Sequence, residues 1–150
     1  MRLIIAYEES KISKIIKKKE LRELIKPALK HIKRPIDLLG LYISLDKKNW
    51  GCFEPLSLEY LFAYVKDCEE DILPSIRLYF TENIIDEIIF YMFTHEICHL
   101  NQFLDKRLVL SKYRGSKKKR DFLEKEAKFF ADGVFEEEYG FPFCIALNFL

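Results

Sequence analysis

The sequence is short of net charge, of paired thiols and of long apolar runs, and each shortage closes a class of function. Across 150 residues, 25 Lys and Arg stand against 24 Asp and Glu, a formal charge of +1. The molecule as a whole is therefore not an electrostatic glove for nucleic acid or anionic lipid. Its four cysteines, Cys52, Cys68, Cys98 and Cys144, form no CxxC pair, and the opening Met1-Arg2-Leu3-Ile4-Ile5-Ala6-Tyr7 meets Glu8 too soon for an export signal. Reduced thiols in a cytoplasmic protein are the expectation. No apolar stretch approaches the ~18 residues of a membrane span, because Asp86, Glu87, His95, Glu96 and His99 punctuate the longest candidate. Gln102 is the only glutamine, and with many Ile and Lys around it the composition resembles that of thermophile proteins, where ion-pair networks replace thermolabile amides. No internal repeat is present.

What is there reads as one globular domain over 1–150, with 49% hydrophobic and 33% charged residues. Charge is unevenly spread: residues 1–36 carry eleven basic against four acidic side chains (+7), and residues 37–110 six against thirteen (−7). Docking of a basic helical front, residues 1–36, onto an acidic body accounts for this as well as a nucleic-acid arm does. Within residues 10–33, Ile12, Ile15, Ile16, Leu21, Leu24, Ile25, Leu29 and Ile32 recur at helical spacing with lysines between them. That predicts one or two amphipathic helices bent near Pro27. Leu38 to Leu45 and Ile76 to Phe80 suit strands, and Asn49-Trp50-Gly51 a turn. Ser57 to Glu70 reads as a helix with Pro74 marking the exit, and Thr81 to about Lys106 as a helix buried over much of its girth. Ser111 to Lys119 reads as a solvated loop, Arg120 to about Glu138 as a last helix closed by Gly140, and residues 141–150 form an apolar tail.

Inside the apolar helix lies His95-Glu96-Ile97-Cys98-His99, an HExxH match. Two imidazoles four residues apart project from one helix face and can chelate one Zn²⁺. The glutamate between them points about 100° around the axis, beside the metal, where it can act as general base toward a water. Chance supplies only about 0.006 such matches in a chain of this composition. Burying two imidazoles and a carboxylate unpartnered costs several kcal/mol, and a metal offsets that cost. Cys98 lies to one side of the histidine seam and reads as a small core residue.

A catalytic zinc takes three protein ligands and leaves one position open. His31 sits between lysines in the basic front and reads as solvated. Two glutamates of the last helix compete for the third place. Glu126, with Phe122, Leu123, Phe129 and Phe130 at i±3 and i±4, is favoured over Glu124, which has Arg120, Asp121, Ala127 and Lys128 around it. Asp132 offers an acceptor for a ligand histidine's second N–H, although it lies about 240° around the helix from Glu126.

The HExxH helix followed by Glu124-Lys125-Glu126-Ala127-Lys128-Phe129-Phe130-Ala131 resembles the glutamate-type zinc metallopeptidases, the gluzincins. It is similar to their small single-domain members, the minigluzincins and the ImmA/IrrE-like peptidases, over about forty residues, 92–131. The continuation Asp132-Gly133-Val134-Phe135-Glu136 departs from the aliphatic stretch and proline usual in ImmA/IrrE-like chains. The resemblance implies an α+β fold, a small twisted sheet packed on an active-site helix and a glutamate-bearing helix, to which the N-terminal amphipathic helices are added. It also implies Glu126 as the third ligand.

The expected activity is zinc-dependent hydrolysis of a peptide or protein substrate, with His95, His99 and Glu126 holding the ion and Glu96 as general base. Tyr113 and Tyr139, each near a loop end, are the candidate oxyanion donors. A strand edge near Leu41–Leu45 could take an extended peptide by strand addition. The tail closes the core as a final strand or, as the likeness to zymogen-like minigluzincins implies, lies in the cleft and keeps the enzyme latent. The alternative is a metal-binding pseudo-peptidase acting as a regulatory, toxin–antitoxin-like or nucleic-acid-binding module. No membrane partner is expected, and oligomeric state is not legible.

Overall fold

The computed structural model describes residues 1–45, 62–64, 72–105 and 117–149. The elements run β1 (Arg2–Tyr7), α1 (Ile12–Ile15), α2 (Lys18–Leu29), β2 (Leu38–Leu45), β3 (Phe62–Tyr64), β4 (Ile72–Phe80), α3 (Asp86–Leu104), α4 (Lys117–Tyr139) and α5 (Phe143–Ala146), then a 3-10 turn over Leu147–Phe149. The strands lie in the order β1-β2-β4-β3; β1, β2 and β4 are parallel, and β3 pairs antiparallel with β4. The fold is a small α+β arrangement.

Alternation along the parallel strands sets the core face, because successive side chains point to opposite sides of a sheet. Leu39, Leu41 and Ile43 of β2 and Ile76, Leu78 and Phe80 of β4 are fully buried, and Leu3 and Ile5 of β1 join them in one apolar cluster with α2, α3 and α4. Ile4, on the other face of β1, is exposed. On that face Gly40 is the Cα partner of Ser75, and a Cβ at Gly40 would stand 3.0 Å from Ser75 Oγ and 3.2 Å from the Tyr42 ring. The residue without a side chain lets the two strands carry Ser75 and Tyr42 there.

Several expectations change against this frame. Residues 2–7, read above only as too short for a leader, form an edge strand. The front helices break at Ile16 (φ −154°, ψ 136°), and Pro27 lies in the last turn of α2. The extended residue buries its side chain, and its carbonyl accepts the Tyr7 hydroxyl at 2.8 Å. β2 lies between β1 and β4, so Leu41–Leu45 is not an edge and the strand-addition site suggested there is lost. Phe62–Tyr64 is a strand, so Ser57 to Glu70 is not one helix; pairing with Ile72–Pro74 overrides the helical spacing. The rest of that segment, and the turn at 49–51, lie outside the described residues. Pro74 sits within β4, one residue before the ladder to β2 begins at Ser75, so its missing N–H costs that ladder nothing.

The C-terminal tail is not a strand. Gly140 takes the left-handed conformation (φ +79°) that ends α4, its N–H donating to the Glu136 carbonyl at 2.8 Å. The chain then turns so that α5 lays Phe143 flat on Tyr91 of α3 (centroids 3.7 Å, 13°) and edge-on to Phe135 of α4 (5.1 Å). Phe143 and Ala146 are buried, and the tail closes the core as a helix.

Candidate metal centre

α3 is buried from Ile88 to Gln102 without a break, because it packs against β4, α2 and α4 together. Asp86 and Glu87 in its first turn oppose the positive end of the helix dipole. Asn101 ties α3 to the end of α2, accepting from the Lys33 N–H and donating to the His31 carbonyl, each at 2.9 Å. His31 itself meets the edge of Phe130 (5.8 Å) and is far from ligand duty. The helix that carries the HExxH motif is thus anchored along its length before any ion is considered.

His95 and His99 lie four residues apart on the side of α3 that faces α4. The buried stripe of α4 is Leu123, Ala127, Ala131, Val134 and Phe135; the two alanines, fully buried, let the helices approach closely. Glu124 sits beside this stripe. Its Oε2 is 3.1 Å from His95 Nε2 and its Oε1 is 3.0 Å from His99 Nε2. Ligand atoms of His95, His99 and Glu124 all fall within 4.8 Å of one another. The expected third ligand, Glu126, is not brought to the imidazoles: its Oε1 accepts from Gln102 Nε2 at 3.2 Å. Of the four residues used to place Glu126 on the core face, Leu123 is buried and Phe130 packs against the core, but Phe122 is 60% and Phe129 83% exposed.

These atoms suit a divalent ion. Two imidazole nitrogens and a carboxylate are a zinc donor set, and ligand bonds of about 2.0–2.1 Å at tetrahedral angles put neighbouring ligand atoms about 3.3 Å apart. The two His–Glu124 separations lie just below that value. Burial lowers the His95 pKa, against the opposing pull of its bond to Glu124, and so favours the neutral, ligating imidazole. The imidazoles are about 1% exposed and the Glu124 side chain 31%, so solvent reaches the group from the Glu124 side.

Glu96 is fully buried, and neither carboxylate oxygen has a hydrogen-bond partner among the described residues. Burial, and secondarily the Glu124 charge, hold its pKa well above the usual carboxylate range. Nδ1 of His95 likewise finds no partner among the described residues.

The remaining candidates fall elsewhere. Tyr139 stacks on Phe135 (4.4 Å) and meets Phe90 edge-on (5.3 Å). Burial pushes its hydroxyl up to about 12, with Glu87, Asp86 and Glu138 adding to the shift. Glu87 is eight residues before His95, roughly 12 Å along the helix, so Tyr139 is at the wrong end for an oxyanion donor. Tyr113 lies outside the described residues. Asp132 accepts the Tyr91 hydroxyl (2.8 Å) and pairs with Lys128 (3.2 Å), and a ligand histidine is not among these partners. That place belongs to Gln102, whose Oε1 is 2.8 Å from His99 Nδ1. Sequence reading missed Gln102, although its i+3 spacing from His99 was a usable signal. Cys98 is a buried thiol outside the ligand group, and Cys144 an exposed one.

No protein-family model, curated protein or solved structure matches the chain. No described helix is long and apolar enough to cross a membrane.

Proposed function

We infer that the chain is a zinc-dependent peptidase of gluzincin type, with His95, His99 and Glu124 as metal ligands and Glu96 as general base. The observation that carries this reading is the Glu124 carboxylate, which offers one oxygen to each buried imidazole beside a fully buried Glu96. At such a ligand set a zinc ion supplies an acidified water and a polarised substrate carbonyl. Glu96, adjacent to His95 in the chain, takes the proton from the attacking water and returns it to the departing amine as the peptide C–N bond breaks. His95 and His99 hold their orientation through the burial of α3, and Glu124 closes the ligand set from α4.

Elemental analysis and peptide cleavage test the reading together. The purified chain should carry about one zinc; His95→Ala and Glu124→Ala should lose most of it, and Glu126→Ala should keep the larger part. Glu96→Gln should retain zinc while losing cleavage. Full retention of metal by Glu124→Ala would sink the ligand assignment.

A metal-binding pseudo-peptidase is the second reading, and the complete burial of Glu96 favours it, since a base must meet the water it deprotonates. A Glu96→Gln protein that keeps both zinc and every biological effect would decide for this alternative.

A further inference from the structure

We propose that Gln102 is the positioning residue of His99, and that Glu126 acts through it. Gln102 is 1% exposed and its amide is read from both ends. Its Nε2 lies 3.0 Å from the Leu123 carbonyl and 3.2 Å from Glu126 Oε1, both on α4. A carbonyl and a carboxylate only accept, so the end that faces them is the NH₂ group. The other end is then the amide oxygen, 2.8 Å from His99 Nδ1, and an amide oxygen only accepts. His99 Nδ1 therefore carries the hydrogen. In the neutral ring this leaves the lone pair on Nε2, the atom 3.0 Å from Glu124 Oε1.

Two neighbouring helices thus set one tautomer. Leu123 and Glu126 hold the Gln102 amide against a flip, Gln102 holds the His99 ring, and Nε2 is left free of hydrogen on the side where Glu124 stands. Glu126, favoured as third ligand by its apolar neighbours in sequence, serves one bond further out. The hydrogen on Nδ1 follows from Gln102 alone; that Nε2 carries none, beside a Glu124 oxygen that also only accepts, rests on the metal-site reading.

Long-range proton–nitrogen NMR of the metal-free chain at pH 8, with zinc affinity measured by chelator competition, tests the relay. The expected result is an Nδ1–H tautomer for His99 in the wild-type chain. Gln102→Leu should lose that preference and bind zinc about 10–100-fold more weakly. Gln102→Glu combined with Glu126→Gln keeps an acceptor at 102 and a donor at 126, and should recover most of the affinity. If Gln102→Leu does not fold, Glu126→Ala, at a half-exposed position, should still loosen the tautomer preference and weaken zinc. A His99 Nδ1 without a proton in the wild-type chain overturns the proposal. So does undiminished zinc affinity together with an unchanged tautomer in the folded variants. A wild-type chain that holds the Nδ1–H tautomer but takes up no zinc would support the relay and remove the peptidase reading.

Discussion

Glu96→Gln should make the metal-free protein more stable relative to wild type as the pH rises, reversing the usual expectation that a buried carboxylate in a motif is better left alone. The Glu96 side chain is fully buried, with both oxygens unpartnered among the described residues, and its pKa is raised by desolvation first and by Glu124 second. A carboxyl whose folded pKa exceeds its unfolded value contributes stability that is whole below the unfolded pKa, near 4.5, and is lost as the pH climbs toward the folded value. Each pH unit over which the unfolded chain has released the proton and the folded chain has not costs about 1.4 kcal/mol. Against a total of about 5–15 kcal/mol for a domain, that slope is large. Glutamine keeps the shape and cannot ionise; burying its amide costs about 1–3 kcal/mol, but the same amount at every pH. His95 works in the opposite direction: its lowered pKa means stability lost as the pH falls below about 6.5, in both proteins alike. The difference between the two curves therefore isolates Glu96. Urea denaturation in the presence of a chelator, from pH 4.5 to 7.5, should show the variant gaining on wild type by about 1.4 kcal/mol per unit at first. A difference that stays flat across this window would refute the burial argument.

Two further substitutions test the packing that carries the site. Phe143→Ala removes a buried ring stacked on Tyr91 and should cost about 3–5 kcal/mol, read as a lower denaturation midpoint; a small loss accompanied by higher cleavage would instead restore the tail as a plug. Gly40→Ala puts a methyl 3.0 Å from Ser75 Oγ, and Ser75 is fully buried, so overpacking should cost about 1–3 kcal/mol, with partial recovery when Ser75→Gly is added.

Periodicity carried much of the fold. β2 coincides with the apolar run from Leu38 to Leu45, and α3 and α4 lie within a few residues of their expected ends. What failed was what depends on partners. Arg2–Tyr7 has too few residues to declare itself, and becomes a strand because β2 supplies the Leu38–Ile43 ladder. Phe62–Tyr64 lies in a stretch of helical spacing but has a strand partner in space. Local spacing cannot record either fact, since a ladder is a relation between distant segments.

The site was legible to the same degree. HExxH put His95, Glu96 and His99 together from spacing alone, because one helix holds all three. The third carboxylate comes from another helix, so its identity turns on which face α4 presents. Phe122, Leu123, Phe129 and Phe130 point to the face around Glu126, but Phe122 and Phe129 are in solvent. The contact is made by Leu123, Ala127, Ala131, Val134 and Phe135, and small residues at four-residue intervals are what close helix packing requires. With 100° per residue, Glu124 falls about 50° from the middle of that stripe and Glu126 about 110°. Ala127 and Ala131, fully buried and four residues apart, mark the face that α4 turns to α3, and Glu124 stands beside them.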